Sequence, residues 1–163
     1  MRPATPPRLG SFDYRGLHRY FLTICTKGRR PTFCVPDIVE PARKRLFEEA
    51  SNRGFSAYAY CFMPDHCHVL VIGVQEDAGF VQFVNVFKQT TSFDFKRKCR
   101  GRLWQAGYFE RVLRSDEASM SVARYILENP VRAGLTRTFQ EYPFSGSQEF
   151  TKEALADLWA TRT

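Results

Sequence analysis

His66 and His68 stand two residues apart on a run that continues Val69, Leu70, Val71 and Ile72. If that run is a strand, both imidazoles project from one face, with their backbones roughly 7 Å apart. Cys67 then points the opposite way. Two neutral imidazoles on one rigid strand form a ready pair of ligands for a divalent cation. A second pair lies later in the chain. Tyr125 and Asn129 are four residues apart, which places them on one face of a helix. Taken singly, each has a plainer role: a helical Tyr is usually core, and an Asn before Pro usually ends a helix. Together they can do more. The amide oxygen can complete a metal shell begun by two imidazoles, and the phenol can meet a phosphate held there.

Cysteine suggests a rival, a zinc site of mixed Cys and His. Cys67 faces away from both histidines, and Cys61 lies across the turn without the spacing a paired ladder would give. The five cysteines, 25, 34, 61, 67 and 99, are odd in number and read as reduced thiols, not a disulfide framework.

The elements that must position these groups follow from the pattern around them. Met63, Pro64 and Asp65 break the chain ahead of His66, because Pro presets a turn dihedral and Asp bonds its own backbone. Strands are predicted at about 56–63 and 66–73, flanking that turn. Arg19 to Thr26 has strand composition, and 108–114 alternates as a fourth strand. A helix is predicted from Asp37, as N-cap, to about Arg53, with Val39, Ala42, Leu46 and Ala50 inward and Gly54 as its stop. A second runs from about Ala78 to Lys98, with Phe80, Phe83, Val84, Phe87 and Thr91 inward. A third, capped by Ser115 and Asp116, runs from about Glu117 to Glu128 and stops at Asn129 and Pro130. Its apolar face carries Met120, Val122, Ala123, Ile126 and Leu127. The order strand–helix–strand–strand–helix–strand predicts an α+β fold, the ferredoxin-like split βαβ antiparallel sheet with helices on one face, plus an added C-terminal helix carrying the tyrosine. One domain is expected over 1–163, with an extended basic segment at 1–17 and a weakly patterned tail at 148–163 holding a short helix at 151–160.

Charge narrows the partner. Lys and Arg total 24 against 17 Asp and Glu, a net of +7, which favours an anion, nucleic acid first. Candidate phosphate contacts are Arg97, Lys98, Arg100 and Arg102, with Arg29 and Arg30 in a basic turn and Arg111, Arg114 and Arg132 nearer the proposed site. Trp104 is a candidate to stack a base. No apolar stretch at the N-terminus suits a signal peptide and no run approaches a membrane span, so a cytoplasmic, nucleoid-associated protein is expected.

His66-Cys67-His68 after Met63-Pro64-Asp65, Trp104-Gln105 with Gly107-Tyr108-Phe109, Tyr125 with Asn129-Pro130-Val131-Arg132-Ala133-Gly134-Leu135, and Tyr142-Pro143-Phe144-Ser145 together resemble the REP-associated tyrosine transposases. These are relatives of the single-tyrosine insertion-sequence transposases, within the His–hydrophobe–His endonuclease superfamily. The resemblance covers about residues 12–147. It implies His66, His68 and Asn129 as ligands of Mg²⁺ or Mn²⁺, and Tyr125 as nucleophile on single-stranded or hairpin DNA of the REP-like kind. It leaves monomer and homodimer open. Cys67 departs from the bulkier apolar residue usual between the histidines. A phenol needs help to lose its proton at neutral pH. Glu110 and Glu128 are the candidates, although a surface role suits both. The alternative of another class is a non-catalytic nucleic-acid-binding module on the same fold. A third reading is a metal-dependent hydrolase in which water attacks.

Overall fold

The computed structural model describes residues 9–114 and 116–161. The first eight residues of the basic N-terminal segment, the expected cap Ser115 and the last two residues of the tail lie outside them.

Five antiparallel strands form one sheet: β1 (Arg19–Cys25), β2 (Phe55–Met63), β3 (His66–Gly73), β4 (Phe109–Leu113) and β5 (Ser145–Gly146), in the order β4-β1-β3-β2-β5. The first four strands are in the ferredoxin-like arrangement predicted from their order. β5, a two-residue strand, extends the sheet beyond β2 and has no counterpart in the sequence pattern. Helices α1 (Pro36–Asn52) and α2 (Phe80–Lys96) connect the strands, and α3 (Asp116–Arg132) and α4 (Lys152–Ala160) follow.

Strand alternation divides the core into two layers. Tyr20, Leu22 and Ile24 of β1 pair with Val71, Val69 and Cys67 of β3, and all six are fully buried. Tyr20 stacks on Phe80 of α2 at 3.9 Å between ring centroids, so this is the α1/α2 face. Each such aromatic contributes about 1.5–3 kcal/mol by leaving water. Intervening residues Phe21, Thr23, His66, His68 and Leu70 occupy the other face, where Tyr125 of α3 meets Phe21 and His68. α3 therefore lies across the sheet from α1 and α2. A register shift between Ala57 and Ala59 leaves Tyr58 as the extra residue of a bulge, and its hydroxyl reaches Met120 Sδ of α3 at 3.3 Å.

The inward residues predicted for α1 and α2 are all buried. Asp37 is not the cap of α1. The helix starts one residue earlier at Pro36, whose missing N–H costs nothing at a helix start, and Val35 holds the cap position. Gly54 has φ 78°, the left-handed geometry of a helix stop. α3 runs on to Arg132, past the predicted stop, with Pro130 buried inside its last turn. A proline so near the end forfeits little of the ladder, and the chain closes by Ala133 N–H to Asn129 O and Leu135 N–H to Pro130 O.

The tail is folded back. β5 pairs with Tyr60 and Cys61, and the buried Tyr142 hydroxyl donates to Phe62 O at 2.7 Å. Thr151 caps α4, and Leu155 and Trp159 pack on Leu127 and Phe139 against the outer side of α3. The segment 9–17 is docked as well: Phe12 and Tyr14 pack on the core, and Arg15 bridges to Gly79. No helix among the described residues is long and apolar enough to cross a membrane.

Candidate active site

The turn before β3 is fixed from outside. Backbone N–H groups of Thr32 and Phe33 donate to Pro64 O at 2.7 and 3.0 Å, and Thr26 donates to Asp65 O through both its N–H and its hydroxyl at 3.0 Å. β3 thus leaves a rigid corner, and the two imidazoles, separated at the backbone, converge. His66 Nε2 and His68 Nε2 are 3.2 Å apart. Two ligands about 2.1 Å from one cation, set at about 90–110°, lie roughly 3.0–3.4 Å apart.

Each ring is held at its other nitrogen. His66 Nδ1 lies 2.7 Å from Asp65 Oδ1, and Asp65 Oδ2 accepts from Arg29 Nε at 3.0 Å. Arg29 also donates to Cys25 Sγ at 2.7 Å and takes a left-handed φ of 55°. Burial pushes the Asp65 carboxyl up. The hydrogen bond from His66 and the Arg29 charge outweigh it and hold the carboxyl below its ordinary range. The Nδ1–H of His66 therefore points at a carboxylate, which leaves the lone pair on Nε2. His68 Nδ1 pairs with Thr23 Oγ1 at 2.8 Å. Burial, then the charges of His66, Arg132 and Arg29, push the His68 imidazole down to about 3, so it is uncharged at neutral pH. Asp65 and Thr23 were not read as site residues from the sequence. In the sequence Asp65 stands beside His66, where its turn chemistry alone accounts for it.

Cys61 corrects one expectation. It is the direct cross-strand partner of His68 and shares its face. Its burial pushes the thiol up to about 12, against the pull of Lys152 and Arg132, so it stays protonated in the metal-free protein. Cys67 is buried on the α1/α2 face, as expected. Among the described residues no group of three or more His, Cys, Asp or Glu is arranged to hold a metal.

Tyr125 arrives from α3, 48% exposed, with its ring 6.1 Å from that of His68 and edge-on to Phe21 at 6.0 Å. Asn129 follows one turn on, half-buried, and its amide makes no hydrogen bond among the described residues. Arg132 places its guanidinium 4.1 Å from the centre of the Tyr125 ring and donates to Tyr125 O at 2.6 Å.

The other basic candidates divide. Arg111 pairs with Phe21 on the Tyr125 face, 5.9 Å over its ring, and exposed Arg114 follows at the end of β4. Arg30 is exposed at the corner beside His66. Arg29 is engaged with Asp65. Arg97 and Lys98 line a groove of about 1000 Å³ between α1 and α2, across the sheet from Tyr125, and Lys98 donates to Asp37 O at 2.9 Å. Arg100 and Arg102 are exposed on the connector after α2. Trp104 does not face solvent: it is 3% exposed and donates its indole N–H to Thr91 Oγ1 at 2.8 Å, a core role. Neither carboxylate suggested for deprotonating Tyr125 is aimed at it. Glu110 faces the other side of the sheet and accepts from the Tyr14 hydroxyl at 2.7 Å, and Glu128 pairs with Arg124 along the helix at 3.0 Å.

The class of protein is thus an α+β one, a ferredoxin-like sheet with two facing imidazoles beside a helix-borne phenol. The comparisons give the family. The profile described as "Transposase IS200 like" matches residues 15–129. The chain belongs to this family of DNA transposases. It is 22% identical over 151 residues to a Haemophilus influenzae protein classed among the REP-associated tyrosine transposases, covering 86% of this chain and 84% of that one. A REP-associated tyrosine transposase of Escherichia coli is 23% identical over 127 residues, 77% of this chain and 74% of the relative. Among solved structures, a REP-associated tyrosine transposase bound to a REP hairpin superposes with a TM-score of 0.71 at 21% identity, covering 82% of this chain and 79% of that one.

Proposed function

We propose that this transposase is a metal-dependent, single-tyrosine enzyme that cleaves and rejoins single-stranded or hairpin DNA through a 5′-phosphotyrosine intermediate. The observation that carries the reading is the meeting of Tyr125 with His68, 6.1 Å between rings, beside a pair of imidazole nitrogens 3.2 Å apart. Two imidazole nitrogens aimed at one point suit a cation or a proton shared between them, and an amide oxygen is available on the same helix as the phenol. That donor set fits Mn²⁺ or Mg²⁺, with His66, His68 and Asn129 as the ligands. When bound, such an ion polarises the scissile phosphate and stabilises charge on its oxygens.

The chain's own groups do the rest. Tyr125 Oη bonds to phosphorus while the bond from phosphorus to O3′ breaks. The phenolic proton leaves, and the departing O3′ takes one up. The link conserves the phosphodiester's energy, so a 3′-OH can later attack the phosphotyrosine and expel Tyr125 without ATP. Arg30 and Arg111 are the basic residues of this face that would meet the strand's phosphates, and the solved relative's REP hairpin supports a hairpin as the partner. Because Tyr125 meets the histidines of its own chain, the reading is of a site that one copy completes, which favours action as a monomer.

The test is incubation with labelled single strands of the repeats flanking the gene. Wild type with Mn²⁺ should give a denaturant-resistant adduct, absent with EDTA and absent in Tyr125→Phe. Equal binding with EDTA and no adduct from wild type would indicate a binding module instead. Cleavage surviving in Tyr125→Phe would indicate attack by water.

A further inference from the structure

We infer that Arg132, counted among the DNA contacts on sequence grounds, is instead the positioning residue of the nucleophile. The inference rests on the reading of Tyr125 as that nucleophile. An exposed Arg is ordinarily mobile and contributes little. Among the described residues both of the Arg132 contacts, one to a ring and one to a carbonyl, belong to one residue. Its guanidinium lies 4.1 Å from the Tyr125 ring centre, well inside the range of a cation–π contact, and its Nη2 donates to the Tyr125 carbonyl at 2.6 Å. One planar cation therefore ties ring to backbone. Phe21, edge-on at 6.0 Å, and His68, at 6.1 Å, are the ring's other aromatic neighbours among the described residues. Without the guanidinium a ring that is 48% exposed could rotate away from the histidines.

This arrangement depends on α3 continuing through Pro130. Had the helix stopped at Glu128, Arg132 would stand in a turn and could not reach back along the helix to residue 125. The same charge also favours an electron-rich ring, and the phenol becomes one whenever the phosphotyrosine bond breaks. A lysine keeps the charge but lacks the planar fork that serves both contacts at once.

The experiment compares Arg132→Lys and Arg132→Met with wild type in three measurements. The first is the single-turnover rate of adduct formation with saturating labelled flanking-repeat strand and Mn²⁺. The second is the affinity for that strand in EDTA, across a salt series. The third is the ¹⁹F resonance of Tyr125 in protein labelled with 3-fluorotyrosine, assigned by its loss in Tyr125→Phe. We expect the rate to fall about 10- to 100-fold in both variants, as for a misplaced reacting group. The affinity should stay within about twofold, and the ¹⁹F signal should move. An affinity loss with a salt slope shallower by about one, and an unmoved ¹⁹F signal, would make Arg132 a phosphate contact and overturn the inference. Should wild type form no adduct, the nucleophile reading fails by itself, while the ¹⁹F shift still decides whether Arg132 holds the ring.

Discussion

At the scale of single residues, the site separates groups that can touch the reacting atoms from groups that hold them. Asp65 is of the second kind. A carboxylate on the far nitrogen of a ligating imidazole fixes its tautomer and raises its basicity, and losing such a partner typically costs 10- to 100-fold in metal affinity. Asp65→Asn is expected to weaken Mn²⁺ binding by about that factor in calorimetric titration, while the metal-free protein melts at nearly the wild-type temperature. Unchanged affinity would show that His66 needs no orienting partner. Arg29→Met should follow in the same direction with a smaller effect, since it removes only the group that anchors Asp65. His68 is held by the Thr23 hydroxyl, which can donate or accept.

At the scale of elements, the imidazoles are precise because the corner around Pro64 is pinned by backbone donors, and the tyrosine because α3 is clamped between the sheet and α4. Leu155 is fully buried in the outer half of that clamp. Leu155→Ala is expected to cost about 2–4 kcal/mol in urea unfolding, by the usual penalty of a core cavity. A cost under half a kcal/mol would show that α4 is not part of the cooperative fold. β3 imposes a second constraint: a Cβ on Gly73 would lie 2.2 Å from the Gly16 carbonyl oxygen, so Gly73→Ala must displace the docked segment 9–17. Urea unfolding should register a loss of about 1–3 kcal/mol for that change. On the far face, Arg45 holds Asp94 by two bonds, 2.7 and 3.0 Å, and joins α1 to α2. The Arg45 hydrogen bond, working against burial, lowers the Asp94 carboxyl below its ordinary range. A carboxyl lowered on folding stabilises the native state above its unfolded value and ceases to do so as pH falls through the folded value. Asp94→Asn should therefore cost about 0.5–1 kcal/mol at pH 7, discounted for partial exposure, with the difference from wild type closing as pH falls below the ordinary carboxylate range. A gap that persists in acid would assign the effect to packing.

At the scale of the whole molecule, the net charge of +7 is not spread evenly with respect to the site. Arg30 and Arg111 share the neighbourhood of the histidines and Tyr125, whereas Arg114 lies at the far end of β4 beside Arg19, and Arg97 and Lys98 sit behind the sheet. Binding of a flanking-repeat strand in EDTA should therefore weaken with Arg111→Gln, with the salt slope falling by about one. Arg97→Gln should leave both nearly unchanged at short strand lengths. Equal effects would mean that DNA wraps onto the α1/α2 face.

The sequence by itself determined the order of the first four strands and of the helices, the inward faces of α1 and α2, and the shared faces of His66 with His68 and of Tyr125 with Asn129. Strand and helix periodicities are local, and a turn residue acts on its own neighbours, so these features need no knowledge of distant contacts. Tertiary structure alone decided the rest. Pro130 stays inside α3 because burial of that helix outweighs the local preference to stop. Trp104 turns inward because Thr91 offers its indole a partner. Cys61 lies opposite His68, and Arg29 reaches Asp65, because strands and loops far apart in the chain are brought side by side. A preference of a few tenths of a kcal/mol per residue cannot foresee contacts made only once the layers have closed.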